Sequence, residues 1–124
     1  MYIFHCVRAR DYDPSAQYYG HGSIQKCGFI HCSDLDTYHL VAPNFAGDLK
    51  DRVLLLINTD KVAAPIRWED GGANTDFPHI YGLLNTDAVE TVLPHLWSED
   101  RVWIPNKELA QYGFDVYQPD ISNL

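Results

Sequence analysis

Gly28-Phe29-Ile30-His31-Cys32-Ser33 is the stretch on which the reading of this chain turns. It sets a histidine inside an apolar, strand-like run that opens on a glycine able to bend it. Phe77-Pro78-His79-Ile80-Tyr81-Gly82 repeats the pattern, and Ile3-Phe4-His5-Cys6-Val7 offers a third instance. An imidazole among Phe, Ile and Tyr must be hydrogen-bonded or it costs stability. Three such segments predict histidines converging on one polar hollow in an otherwise apolar sheet.

Working outward, Tyr2 to Arg8 reads as a first strand and Gly28 to Ser33 as a second. Between them, Ala9 to Lys26 is polar and turn-rich, and Tyr12, Tyr18, Tyr19 and His21 suit a loop or lid. Ser33-Asp34-Leu35-Asp36 reads as a helix start, with Ser33 as cap and the aspartates at the positive end of the dipole. Pro43 should end or kink that helix. Arg52 to Asn58 (RVLLLIN) is apolar throughout and predicts a central strand. Pro65 to Glu69, Phe77 to Tyr81 and Val89 to Leu93 read as further strands, and Asn85 to Ala88 as a turn or single helical turn. Val102 to Pro105 reads as extended, and Asn106 to Tyr112 as a short helix closed by Gly113. Many short strands with one or two helices predict an α+β domain.

Strand alternation then sorts the side chains. Phe29, His31 and Ser33 share a face, as do Arg67 with Glu69, Phe77 with His79 and Tyr81, and Ile3 with His5 and Val7. If these faces meet, the hollow holds His5, Phe29, His31, Ser33, Arg67, Glu69, His79 and Tyr81. His31, His79 and Glu69 are the candidates for proton transfer near neutral pH. His5, Phe29, Ser33, Arg67 and Tyr81 are candidates for ligand binding: Arg67 offers a fork of donors, and the two aromatic rings can stack on a planar group. The competing reading is that each histidine is a core residue satisfied by backbone. Neighbours on a strand cannot meet, so His5-Cys6 and His31-Cys32 are not reactive pairs, and Cys6 and Cys32 read as small buried apolar residues. His5, His31 and His79 lie on separate strands without i, i+2 or i, i+4 partners, so no metal site is expected. His21, His39 and His95 read as loop, helix-face and turn positions without a role. The chain carries no Gly-rich phosphate loop, HExxH or GxSxG.

The 124 residues suffice for one domain with a single core, and the 46% hydrophobic fraction fits a packed protein. A net charge of −8 with nine unclustered Lys and Arg is a poor match to nucleic-acid backbone or anionic membrane. Three cysteines, no CxxC pair and no signal-peptide pattern suggest a cytoplasmic protein with reduced thiols.

Taken in order, Gly28-Phe29-Ile30-His31-Cys32-Ser33, Val53 to Ile57, Ile66-Arg67-Trp68-Glu69, Phe77 to Leu84 and Asp87-Ala88-Val89 resemble the domain-of-unknown-function 952 family over residues 2–95. The tail from 96 to 124 stands outside the resemblance. The resemblance implies a fold similar to that of ADP-ribosyltransferases, a small split β-sheet with a cleft between its halves. It also implies ADP-ribosyl-transfer-like chemistry on NAD or another nucleotide, with NAD as substrate and not as a bound cofactor. By position His5 resembles the first-strand histidine that holds the NAD ribose. Glu69 is a stand-in for the late glutamate, and Glu90 is the one glutamate on the later strands. The chain departs from the family where the Tyr/Gly-rich stretch from Asp13 to Gly22 replaces the expected helix, and where Cys32 replaces an aliphatic residue. Three functions follow as expectations: a nucleotide-directed enzyme, a non-catalytic small-ligand module, or a small-molecule hydrolase, isomerase or cyclase using His31 and His79 as acid and base.

Overall fold

The computed structural model describes residues 1–48, 51–72 and 74–114. Its organising strand is β5 (Arg52–Asn58), the apolar RVLLLIN run. Strand β1 (Tyr2–Arg8) pairs antiparallel with it along its whole length, from Tyr2 opposite Asn58 to Arg8 opposite Arg52. The other edge of β5 takes β9 (Val89–Pro94), with a register shift at Leu56/Ile57. Strand β4 (Ser33–Asp34) adds to β1 and completes a four-stranded sheet, β4-β1-β5-β9. A second sheet holds β3 (Ile30–His31), β7 (Asp76–Ile80) and β6 (Ile66–Asp70), in the order β3-β7-β6. Two short pairs complete the described sheets: β2 (Tyr18–Tyr19) with β8 (Leu84–Asn85), and β10 (Leu96–Trp97) with β11 (Trp103–Ile104). The architecture is α+β, with several small antiparallel sheets and few helices.

β5 is apolar without interruption because both faces of its sheet are covered. Ile3, Val7, Leu55 and Ile57 pack on one side against Ile30, Ile80, Leu84 and Ala88. Phe4, Leu54, Leu56 and Leu93 pack on the other against Tyr38, Ala42 and Leu109. The central four, Leu54 to Ile57, are fully excluded from water. Burying each removes enough apolar surface to stabilise the fold by about 1.5–3 kcal/mol.

Three expectations from the sequence need correction. The run from Gly28 to Ser33 is not one strand. Ile30 and His31 pair with β7, Ser33 and Asp34 pair with β1, and Cys32 is the crossing point between the two sheets. The Cys32 N–H donates to the Pro78 carbonyl at 3.1 Å, so the backbone is satisfied where the chain changes partner. The helix does not start at Ser33, whose residue is committed to β4. The Asp34 carboxylate instead closes the turn that precedes the helix, accepting from the Thr37 backbone N–H and hydroxyl, both at 2.7 Å. The helix therefore begins later, at Tyr38, and its four residues, Tyr38–Val41, run into a 3-10 turn, Ala42–Phe45, with Pro43 in the first turn.

The third correction concerns residues 9–26. A 3-10 turn (Ala9–Asp11), β2 and a two-turn α-helix (His21–Cys27) stand where a loop or lid was expected, so the helix after the first strand is not replaced. Gly20 and Gly28 bracket that helix in left-handed conformation, at φ +110° and +84°. Gly20 has a second constraint, because a Cβ there would overlap Ile30 Cδ1. The tail follows the sequence reading as far as it is described. Trp103–Ile104 is extended, and a 3-10 helix, Lys107–Tyr112, closes on Gly113 at φ +84°. Residues 115–124 lie outside the described part.

Candidate functional site

The crossing at Cys32 opens a cleft between β1 and the β3–β7 pair. Its volume is about 440 Å³, and its walls include Phe4, His5, Cys6, His31, Ser33, Tyr38, Phe77 and His79. Gly71, which follows β6, lines it where a Cβ would overlap the Phe77 ring.

The three strand histidines reach this cleft in different states. His5 is buried, at 8% exposure, and both its nitrogens are engaged. Its Nδ1–H donates to the His31 carbonyl at 2.6 Å, and its Nε2 accepts from the Tyr19 hydroxyl at 2.8 Å. The carbonyl can only accept, which fixes the Nδ1–H tautomer. Burial holds the pKa of this ring down to about 4, outweighing the hydrogen bond to the His31 carbonyl, so it is neutral at pH 7. His5 thus joins β1 to β3 and to β2.

His79 is 6% exposed, and its Nδ1–H donates to Glu69 Oε1 at 3.0 Å. The same oxygen accepts from the Tyr81 hydroxyl at 2.5 Å. These two bonds, Tyr81's the larger, hold the Glu69 carboxyl below its usual range, so it stays ionised. A carboxylate that orients imidazole Nδ1–H leaves Nε2, on the far side of the ring, as the basic nitrogen. Among the described residues no hydrogen bond is made by His79 Nε2. His31 stands opposite His79 in the β3–β7 register, and their ring centroids are 5.3 Å apart at 81°. Partial burial, and then electrostatic repulsion from the neighbouring His79, push the His31 pKa down.

The remaining predicted residues divide. Ser33 is buried at the cleft wall. Phe29 stacks on the His79 ring at 4.3 Å and 19°, and lies 5.2 Å from the Tyr81 ring. The Arg67 guanidinium sits over the Tyr81 ring at 4.8 Å. Phe29, Arg67, Glu69 and Tyr81 therefore form a continuous cluster behind His79 and do not line the cleft itself. Sequence reasoning missed Tyr19, whose hydroxyl closes His5, and Tyr38, a buried cleft wall. It also gave His95 no role, whereas His95 is buried and bonded through Nε2 to the Tyr38 hydroxyl at 2.7 Å. Burial raises the thiol pKa of both Cys6 and Cys32, so each is a neutral wall residue at pH 7. Among the described residues, no three metal-ligating side chains are gathered at one point.

A family model described as Protein of unknown function (DUF952) matches residues 7–92. The chain belongs to that family. Every histidine of the cleft except His5 falls inside the DUF952 match. Comparison with curated proteins gives no match. Among solved structures, the crystal structure of protein CC0527 from Caulobacter crescentus is similar, with a TM-score of 0.73 and 22% identity over 90% of this chain and 97% of that one. A double mutant of CC0527 gives the same values. The solution NMR structure of CC0527 gives a TM-score of 0.66 and 21% identity, covering 90% and 95%. At that identity the likeness establishes the fold of this DUF952 protein and nothing finer. Among the described residues no helix is long and apolar enough to cross a membrane.

Proposed function

We propose that this protein is an enzyme that binds a compact, largely uncharged small molecule in the cleft and acts on it by proton transfer. His79 is the general base, held by Glu69, and His31 is the neighbouring acid–base group. The observation that carries this reading is the Glu69–His79 hydrogen bond at 3.0 Å, with the imidazole on the cleft wall and the carboxylate behind it. Such a pair fixes ring orientation and stabilises the imidazolium formed when Nε2 takes a proton. The walls contributed by Phe4, Phe45, Tyr38 and Phe77 suit a planar or acyl group. Among the described residues the lining carries neither lysine nor arginine, which favours a neutral ligand over a phosphorylated one. Hydrolysis, isomerisation and cyclisation all fit this chemistry.

A second reading is ADP-ribosyl-transfer-like chemistry on NAD or another nucleotide, on an ADP-ribosyltransferase-like split sheet. The divergence of the two sheets at Cys32 and the first-strand position of His5 favour it. It ranks second because His5 would have to release Tyr19 or the His31 carbonyl to grip a ribose.

Thermal shift and turnover, measured on one panel, separate the readings. The panel holds NAD, nucleotides and sugar phosphates beside uncharged aromatic esters, lactones and amides. Uncharged members are expected to stabilise the fold by about 2–4 kcal/mol at large excess over Kd. At least one should turn over with an inflection between pH 5 and 8. Both His79→Gln and Glu69→Gln should lower that rate, the first by about 10²–10⁴-fold. Nicotinamide release from NAD would move the assignment to the second reading. Saturable binding with no turnover would reduce the cleft to a binding module.

A further inference from the structure

Among the described residues, every buried side-chain nitrogen or oxygen without a hydrogen-bond partner lies between His95 and Asn106. The atoms are His95 Nδ1, Trp97 Nε1, Trp103 Nε1 and Asn106 Oδ1. Buried polar atoms are nearly always satisfied, so four in one short segment call for a common cause.

His95 is in ring contact with both tryptophans, and Asn106 is held at Pro94, the residue before His95. Trp97 and Trp103 face each other across the β10–β11 hairpin. The Trp97 ring stacks on His95 at 4.3 Å and 23°, and the His95 and Trp103 centroids are 6.5 Å apart. Asn106 is fixed beside them by its Nδ2–H donating to the carbonyl of Pro94 at 2.9 Å. His95 and Asn106 are 8% and 2% exposed. The free groups are two indole N–H donors, one amide carbonyl acceptor, and an imidazole nitrogen that takes either sense according to its bond with Tyr38. A cation would be repelled by the indole N–H groups, and an anion by the Asn106 carbonyl. A neutral molecule that both donates and accepts suits the set.

We propose that this nest is an internal hydration site, in which long-lived water bridges Trp97, Trp103, Asn106 and His95. Water supplies two donors and two acceptors, and buried waters make about three hydrogen bonds each to such groups. The site reaches the cleft indirectly, because His95 holds the hydroxyl of Tyr38 and Tyr38 is a cleft wall. The water thus ties the β10–β11 arm, which lies beyond the DUF952 match, to the floor of the cleft. The inference is independent of the reaction proposed above.

The test uses the full chain. In 15N-labelled protein, the indole Hε1 protons of Trp97 and Trp103 are expected to show water NOEs of the sign that marks bound water. Trp68, whose side chain belongs to a residue 42% exposed, serves as the internal control. Absence of those NOEs at both buried indoles overturns the proposal. A second arm replaces Trp97 and Trp103 singly by 3-benzothienylalanine, which exchanges N–H for sulfur at nearly constant shape. A hydrated nest loses a bridged hydrogen bond, and Tm falls by about 4 °C. A dry nest loses an unsatisfied donor, so an unchanged or raised Tm at both positions overturns the proposal.

Discussion

His5 makes the fold acid-sensitive, and the size of the effect follows from its environment. Its pKa is 6.5 in an unfolded chain and about 4 in the folded one, because burial penalises the imidazolium. The residue is only 8% exposed, so solvent does little to screen that penalty. Between these two values the unfolded state binds the proton and the native state does not. Stability is therefore complete above pH 6.5 and is lost as pH falls toward 4. For a single site with these two pKa values, the loss is about 2 kcal/mol at pH 5 and about 3 kcal/mol at pH 4. The comparison that isolates it is His5→Asn. Asparagine keeps an N–H donor close to the position of Nδ1, for the His31 carbonyl, and cannot titrate. It costs stability at every pH because the Tyr19 hydroxyl loses its acceptor, but that cost is flat. Urea unfolding at half-unit steps from pH 7.5 to 4 gives the free energies of both proteins. His95, whose pKa burial also lowers to about 4, is present in both and cancels. The wild-type curve should fall toward the variant's by about 3 kcal/mol across the range. Two parallel curves would refute the reasoning, since they would mean that His5 takes up no more protons on unfolding than asparagine does.

Further predictions concern the same framework. Tyr19→Phe removes the hydroxyl from buried His5 Nε2 and should cost about 1–3 kcal/mol in urea unfolding at pH 7. Because the two residues share one hydrogen bond, Tyr19→Phe combined with His5→Asn should cost less than the sum of the singles. Gly20→Ala forces a side chain into a φ of +110° and against Ile30, and should cost about 1–3 kcal/mol in the same assay. Leu55→Ala, at a fully buried position of β5, should cost about 2–5 kcal/mol, read as a fall in urea midpoint at unchanged slope.

How far the fold was legible follows from which forces are local. β5 could be read because an unbroken apolar run has few other uses, and β1, β6, β7 and β9 because alternation and β-branched content are properties of the segment itself. Gly113 could be read as a helix stop because left-handed backbone is a glycine preference. The helix His21–Cys27 could not, since Ile24 is the one aliphatic side chain it packs on the core and its glycine ends look like a loop. Nor could the crossing at Cys32, because the pattern of a strand says which side faces the core and nothing about which strand it pairs with. His95 escaped for a related reason. The partner of its Nε2, the Tyr38 hydroxyl, is 57 residues away in sequence.

The candidate site shows the same limit more sharply. Period-two alternation placed Arg67, Glu69, His79 and Tyr81 on one side of the β6–β7 pair, and they share that side, joined by the Glu69 bonds and the Arg67–Tyr81 contact. What alternation cannot say is where along that side the facing sheet stops. The cleft lining takes in His79 and His31 and leaves Glu69, Arg67 and Tyr81 outside it. That boundary turns a presumed ring of eight ligand-facing residues into a layered arrangement. Imidazoles form the inner wall, and a carboxylate and a phenol behind them set the orientation of His79. The layering is also what makes Glu69 a positioning residue in the proposed reaction and not a group that meets the substrate. Glu69→Gln should accordingly depress the rate while leaving KM close to its wild-type value, whereas a change at the cleft wall itself, such as Phe77→Ala, should raise KM.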